Sequence, residues 1–513
     1  VYPETQMNGK PLEDPLKHVN VYVHPMKTST YQSRAYRFLM EYLRRKEYDV
    51  YSKATGELIR NMPSFENMDT FGYTLLQMPL EMLNIVYPSP SVEQWLQKYE
   101  RGVPEDVFAE PETIRDVVAM SVGEKGLNQI MTYETLTKPN MIKCNYEYRH
   151  EILEKYGRVF SPEHLPKYSH KIANICDTIR KSKGIVILYS QFIDGGVIPM
   201  SLALEEMGFA RFGSASYTQS LFKTPPTEPI DALTGLTRRE MGTSADAAFH
   251  PAKYVIISGD KYFSPNNKQE MKHITASDNA DGSKIRVVLI TRSGSEGLDF
   301  KNIRQVHILE PWYNMNRMEQ IIGRAVRNMS HCRLPFSQRN VQIYMHATRM
   351  EIDNTDISLV NRENTETETE NAVLEEPADL YVYRAAEKKA LQIGKITRIL
   401  KETAVDCILN VGQSNFTAEK LETIEHNRNI KQELSTGETI QYRVGDQPFT
   451  DICDYMASCE FQCRNYTSLS PEQIQTSTYN TEYAHSNYQY ISNRIRQLYR
   501  EQSSYSREQL IKM

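Results

Sequence analysis

No run of apolar residues in this chain approaches the eighteen or so that suggest a bilayer-crossing helix, and its first residues offer neither a basic leader nor an apolar stretch behind one. Membrane insertion and secretion are not expected. Cysteine is scarce, seven in 513 residues. That excludes a disulfide-stapled secreted scaffold and predicts free or metal-bound thiols in a reducing, intracellular setting. An excess of positive charge is missing too: 60 Lys and Arg stand against 65 Asp and Glu, a formal charge of -5. The chain is therefore no cationic wrap for phosphate, and any contact with nucleic acid has to be local. Also absent is a G-x-x-x-x-G-K-[ST] loop, as is an acidic box of the DExx kind. Without a phosphate loop and a magnesium-binding acid, the chain alone is not expected to hydrolyse a nucleotide.

What is present is ordinary globular composition, 40% hydrophobic and 24% charged, over a length that calls for two to four domains. Residues 1–165 mix Tyr, Met and Pro with short amphipathic segments and predict a mostly helical approach or insertion segment. From 166 to 350 apolar runs recur at 185–189, 254–257, 287–290, 306–309 and 341–344, separated for the most part by helical stretches near 171–182, 200–207, 267–275 and 316–327. Consecutive apolar, β-branched positions suit strands buried on both faces of a parallel sheet, and the alternation predicts a doubly wound α/β domain. Residues 351–379 repeat Glu and Asp and predict a flexible acidic linker. Helical periodicity returns from 381, opening a C-terminal extension over 380–513 whose tail carries Arg494, Arg496 and Arg500.

The densest chemical signal is Arg292-Ser293-Gly294-Ser295-Glu296-Gly297-Leu298-Asp299-Phe300, just after a predicted strand. Ligands in open α/β sheets bind beyond the carboxyl ends of strands, and a Gly- and Ser-rich loop there allows close backbone approach and hydroxyl contacts to phosphate. Further on, Gln320, Arg324 and Arg327 fall at i, i+4 and i+7, which predicts one helix face bearing two guanidinium groups and no carboxylate. Either element alone reads as a turn or a solvated face. Together, and in this order, they point to polyphosphate.

Cys407, Cys453, Cys459 and Cys463 lie in the terminal region, where four thiolates suit a structural zinc site and small buried residues are the equal alternative. His307 alternates with apolar neighbours and reads as structural. Trp312 and Tyr313 follow a strand, placed either to stack on a base or to pack a hinge.

Gln320-Ile321-Ile322-Gly323-Arg324-Ala325-Val326-Arg327 is similar to motif VI of the superfamily 2 helicases, QxxGRxxR, and the stretch from Ser293 to Phe300 resembles their motif V. Ile185-Val186-Ile187-Leu188-Tyr189-Ser190-Gln191-Phe192 resembles motif IV in its Swi2/Snf2-like form. With Val306-His307-Ile308-Leu309-Glu310-Pro311-Trp312-Tyr313-Asn314, the pattern looks like the helicases of nucleocytoplasmic large DNA viruses, a group that includes the small subunit of the poxvirus early transcription factor and nucleoside triphosphate phosphohydrolase I. More softly, Val21 to Met26 resembles the strand entering the second motor domain.

The resemblance implies a RecA-like second motor domain over 166–350. It places Gln320, Arg324 and Arg327 toward the nucleotide as arginine fingers and their companion, and Glu296, Gly297 and Asp299 beside its ribose and phosphates. Ser190, Gln191, Arg292 and Ser293 come to lie near a nucleic-acid backbone. The implied cofactor is ATP with Mg²⁺, bound only together with a first RecA-like domain. Implied partners are duplex or single-stranded DNA, that first domain, and a transcription-factor subunit or viral RNA polymerase, in the virus particle and the cytoplasmic virus factory. A chain that opens on Val1, near where a second motor domain begins, reads as a piece of a longer protein. The competing expectations are a non-catalytic DNA-binding clamp and a duplex translocase that does not separate strands.

Overall fold

A computed structural model of the chain describes residues 16–27, 30–45, 48–51, 58–61, 76–102, 107–108, 111–136, 142–213, 220–242, 248–261, 263–292, 298–351, 376–408, 411, 429–464 and 481–512. Its centre is a seven-stranded sheet built from β1 (Leu16–Lys27), β2 (Ile185–Tyr189), β3 (Ala210–Arg211), β4 (Lys253–Ile257), β5 (Val287–Ile290), β6 (Ile303–Ile308) and β7 (Asn340–Glu351), in the spatial order β1-β7-β6-β2-β5-β4-β3. Every adjacent pair is parallel. The five apolar runs read from the sequence all fall on sheet strands. Beyond the boundary at 166, the sheet also takes in β1, which pairs with β7 from Leu16↔Asn340 to Lys27↔Glu351.

Both faces of the sheet are covered, as consecutive apolar positions require. Alternate residues Val186, Leu188, Val287, Leu289, Tyr254 and Ile256 join one core. It is closed by α4 (His170–Lys181), through Ile172, Ile175 and Ile179, and by α5 (Ile198–Glu206). Their neighbours Ile185, Ile187, Val288, Ile290, Val306 and Ile308 join the opposite core with α7 (Met315–Ala325). Helix α7 buries Met318, Ile321, Ile322 and Ala325 at i, i+3, i+4 and i+7, which turns the stripe through residue 324 outward. Helix α6 (Asn267–Ile274) adds Ile274 to that core.

Between β1 and α4 a helical insertion holds a third core. Helices α1 (Tyr31–Arg45), α2 (Gln77–Asn84) and α3 (Pro90–Arg101) contribute Phe38, Leu39, Leu80, Leu83, Val92 and Leu96 to it. The ends of α3 are written into its residues: the Ser89 hydroxyl accepts from the amide of Val92, Pro90 stands at the first turn, Glu93 faces the positive end, Lys98 and Arg101 the negative end, and Gly102 closes it.

On β6, β7 and β1 the interior is polar on one face. His24 Nε2 lies 2.7 Å from His346 Nδ1, His346 Nε2 lies 3.0 Å from His307 Nδ1, and His307 Nε2 lies 3.1 Å from Gln305 Oε1. The Gln305 amide donates to the Ser435 hydroxyl at 2.7 Å. His307 stacks on Tyr344, ring centroids 4.5 Å apart. The structural reading of His307 thus describes its place. Burial holds the imidazoles neutral, pushing His24 down to about 4, His307 to about 3 and His346 well below the usual range. A neutral ring donates on one nitrogen and accepts on the other, so the row is satisfied head to tail without charge. The ring signals of these three histidines are expected not to titrate between pH 8 and 5 in a nuclear magnetic resonance series; a midpoint near 6.5 for any of them would contradict the neutral row.

The chain divides into two compact units. One comprises residues 1–397 and 416–460, the other 398–415 and 461–513. Helix α8 (Ala378–Thr403) begins in the first, and α9 (Thr481–Glu501) lies in the second. No helix of the described residues is long and apolar enough to cross a membrane.

Candidate nucleotide and nucleic-acid site

Because all seven strands run parallel, their carboxyl ends share one rim. The loops after β2, β5 and β6 begin there with Ser190, Thr291 and Leu309, and they carry most of the residues singled out from sequence.

A cavity of about 270 Å³ opens on this rim, lined among others by Arg292, Trp312, Arg317, Gln320 and Arg324. Two of the three motif VI residues expected to face a nucleotide, Gln320 and Arg324, are therefore brought together, and Arg292, expected near a nucleic-acid backbone, joins them. Among the described residues no carboxylate lines the cavity. Arg324 is half-buried; its guanidinium reaches the Leu298 carbonyl only at 3.5 Å, while its own carbonyl accepts the Phe300 amide at 3.2 Å. Those contacts tie the motif VI helix to the end of the motif V loop.

Arg327 departs from expectation. Helix α7 ends at Ala325, Val326 leaves helical geometry, and Met329 takes a positive φ of 57°, so Arg327 stands in the turn and not on the helical face. The Ser330 hydroxyl accepts its amide at 3.3 Å and stabilises that turn. Its guanidinium is ion-paired with Asp299, and both side chains are exposed. Asp299, read as a nucleotide neighbour, is thus the ion-pair partner of Arg327. Arg317 takes the vacated place: residues 317, 320 and 324 fall at i, i+3 and i+7 on the outward face of α7. Arg317 is missing from the motif as read and would have been found by extending the stripe one turn toward the amino end. Ser293, Glu296 and Gly297 lie outside the described residues.

Ser190 is corrected from a phosphate contact to an internal strut. Its side chain is fully buried, and its hydroxyl lies 3.1 and 3.0 Å from the two oxygens of Glu310. Glu310 also accepts the Gln191 amide at 2.5 Å and the Asn84 side-chain amide at 2.9 Å. Gly196 passes so close to the Ser190 hydroxyl that no side chain fits there. Burial pushes the Glu310 carboxyl up to about 7 against the pull of these donors and of Lys171. Beneath it, the Lys171 ammonium lies 2.9 Å from Asp379, 3.2 Å from the Leu309 carbonyl and 3.3 Å from Asn84, with Lys171 and Asp379 both wholly excluded from solvent. What remains partly exposed of motif IV is Gln191 with Phe192 after it, both half-buried at the start of the loop.

The zinc expectation is corrected as well. Cys407 is bonded to Cys463 and Cys453 to Cys459, which leaves none of the four thiolates free to ligate a metal. Among the described residues no group of three or more His, Cys, Asp or Glu side chains is arranged to hold one. The cysteines outside these disulfides are Cys144 and Cys176, both buried, and Cys332, exposed.

A parallel sheet whose carboxyl rim carries this arginine helix defines the class. Residues 246–329, from just before β4 through α7, match the helicase conserved C-terminal domain. Over 375 residues the chain is 22% identical to a protein of Acanthamoeba polyphaga mimivirus named as an ATP-dependent RNA helicase, which covers 67% of this chain and 29% of that one. It is 32% identical over 183 residues to a second mimivirus protein so named, 36% of this chain and 26% of that one. To the termination factor NPH-I homolog of African swine fever virus it is 23% identical over 284 residues, 52% of this chain and 36% of the other. Over these stretches the chain is similar to proteins of large DNA viruses, among them two named as helicases. It spans little more than a third, at most, of the length of these relatives. Among solved structures, the C-terminal part of the Fun30 ATPase domain aligns with 73% of this chain and 98% of its own at 12% identity, with a TM-score of 0.32.

Proposed function

We propose that this chain supplies the second motor half of an ATP-dependent DNA helicase or translocase that serves viral early transcription. The cavity of Arg292, Arg317, Gln320 and Arg324, with no carboxylate among its described lining residues, carries the reading. Guanidinium groups on a rigid helix recognise phosphate oxygens bidentately and stabilise the charge that develops as a phosphoryl group is transferred. Bound between this half and a first RecA-like half, which would hold the Mg²⁺, the nucleotide supplies the free energy for movement. Here α7 presents Arg324 and Gln320 to the phosphates, while the Glu310 clamp fixes the motif IV loop so that Gln191 meets a nucleic-acid backbone without reading its sequence. The chain by itself, without a phosphate loop, binds and does not turn over.

The swine fever relative's name, a termination factor, favours transcription; the mimivirus names favour RNA as the strand acted on. The test is nucleotide hydrolysis by the intact protein with duplex DNA, duplex RNA or neither, beside strand-displacement and triplex-displacement assays. DNA-stimulated hydrolysis with strand separation is the expected result. Triplex displacement without strand separation would make it a pure translocase, stimulation by RNA alone would move its substrate, and DNA binding without hydrolysis would reduce it to a clamp.

A further inference from the structure

Arg317 belongs to no motif read from the sequence, and Trp312, read there as stacking on a base or packing a hinge, lines the same cavity. The Arg317 guanidinium carbon lies 4.1 Å from the centre of the Trp312 indole, and that of Arg292 lies 5.6 Å from it. Both distances are within the range at which an aromatic face attracts a cation. Trp312 comes from the loop after β6, directly beyond Glu310 and Pro311; Arg317 comes from the first turns of α7; Arg292 comes from the loop after β5. Three separate stretches of chain thus meet at one indole, and the two guanidinium groups over it share a cavity with Arg324.

An arginine lying over an aromatic ring is held by its face, while its N–H donors lie at the edge of the planar fork, where a phosphate is gripped bidentately. Trp312 therefore fixes the direction of Arg317 without neutralising it, as the carboxylate of Asp299 does for Arg327. Three cations converging on a concave space of about 270 Å³, with Gln320 beside them, match a compact anion of several charges. An extended phosphodiester chain presents its charges one at a time along a line and fills such a cavity poorly.

We propose that Arg317, held over Trp312, is a third phosphate-binding arginine of this cavity, with Arg324 and Arg292, and that the ligand it grips is the polyphosphate of a nucleoside triphosphate. The proposal rests on the reading of the site as the nucleotide side of a motor. It adds Arg317 as a binding residue and Trp312 as the platform that positions it. When phosphate arrives, the guanidinium exchanges part of its contact with the indole for hydrogen bonds, so the indole itself senses the ligand.

The chain has only two tryptophans, Trp95 and Trp312, and Trp95 lies on α3 in the insertion. Trp95→Phe leaves Trp312 as the sole indole reporter in the 513-residue chain. Titrating that variant with inorganic tripolyphosphate is expected to change its fluorescence saturably. Adding Arg317→Ala should weaken binding by roughly tenfold or more, the scale of a lost charged hydrogen bond, and Arg317→Lys, which keeps charge but loses the fork, by an intermediate factor. Arg333→Ala, on an exposed turn away from the lining, should leave binding unchanged, and circular dichroism confirms that each variant is folded. The lysine variant keeps the test available if alanine unfolds the chain. Undiminished tripolyphosphate binding by both Arg317 variants, with binding lost in Arg324→Ala, would overturn the proposal and leave the site's reading intact. Loss in neither position would overturn the reading itself. A parallel titration with a single-stranded oligonucleotide separates the two sources of phosphate: if the Arg317 variants weaken only the oligonucleotide, the residue serves the nucleic-acid backbone and the proposal fails.

Discussion

Replacing Arg324 by alanine in the intact protein is expected to lower kcat for ATP hydrolysis by about 10³-fold or more while leaving DNA affinity within about a factor of two. An arginine finger contributes on the order of 10³–10⁵ in rate in nucleotide hydrolases, because its charge meets charge that exists only in the transition state. The geometry makes Arg324 the better of the two motif VI arginines for that role. It is half-buried on α7, lines the cavity, and among the described residues has only a long side-chain hydrogen bond, to the Leu298 carbonyl, to give up. Arg327 stands past the helix end and is already paired with Asp299, so using it means breaking that ion pair first. Arg327→Ala is accordingly expected to cost less in kcat than Arg324→Ala. Arg324→Lys should fare little better than alanine, since an ammonium cannot reproduce the planar fork. Steady-state hydrolysis measured beside filter binding or fluorescence anisotropy checks both halves of the expectation. Hydrolysis above a tenth of the wild-type rate in Arg324→Ala would sink the finger assignment.

Five of the seven strands of the central sheet were legible because each holds a short, largely apolar run, and the helices between them because their periods are clean; β1, with Lys, His and Asn along it, and the two-residue β3 offer no such run. Residues 315–325, for example, bury four side chains at helical spacing. Three things were not legible, for physical reasons. The end of α7 is set by the positive φ at Met329 and by the Ser330 hydroxyl, local geometry that a helical wheel ignores, and so Arg327 was counted on a face it does not occupy. The burial of Ser190 is imposed by Glu310, 120 positions away, and no spacing rule joins a hydroxyl after one strand to a carboxyl after another. The run 341–344 reads as a buried apolar strand although Gln342 interrupts it; Gln342, Tyr344 and His346 face one side and Val341, Ile343 and Met345 the other, and both sides are buried, the polar one because histidine, glutamine and serine satisfy one another. The cysteines misled by composition: seven in a long chain predicts free thiols on average, whereas pairing depends on which backbones approach, and here two pairs do.

Lys171→Met is expected to destabilise the folded protein by about 3–5 kcal/mol, the cost of leaving one member of a buried ion pair without its partner. Both side chains are wholly excluded from water, and the ammonium lies 2.9 Å from Asp379. Removing the charge strands a carboxylate at the start of α8 in a dry interior, where even the favourable end of the helix recovers only a fraction of its lost hydration. If the cost comes from the stranded carboxylate and not from the missing attraction, the double variant Lys171→Met with Asp379→Leu should regain most of the lost stability, since apolar groups of similar volume replace a buried pair at little or no loss. Urea midpoints of the wild type, both single variants and the double variant decide this. A double variant as unstable as the worse single one would show that the pair is held for its attraction. The same cycle reaches the site. Lys171 also donates to Asn84 and to the Leu309 carbonyl, and Asn84 is one of the donors holding Glu310, which in turn fixes Ser190 and Gln191. A recovered double variant still lacks the cation beneath Glu310. It is therefore expected to regain stability without regaining full affinity for nucleic acid, separating what Lys171 does for the fold from what it does for the motif IV loop.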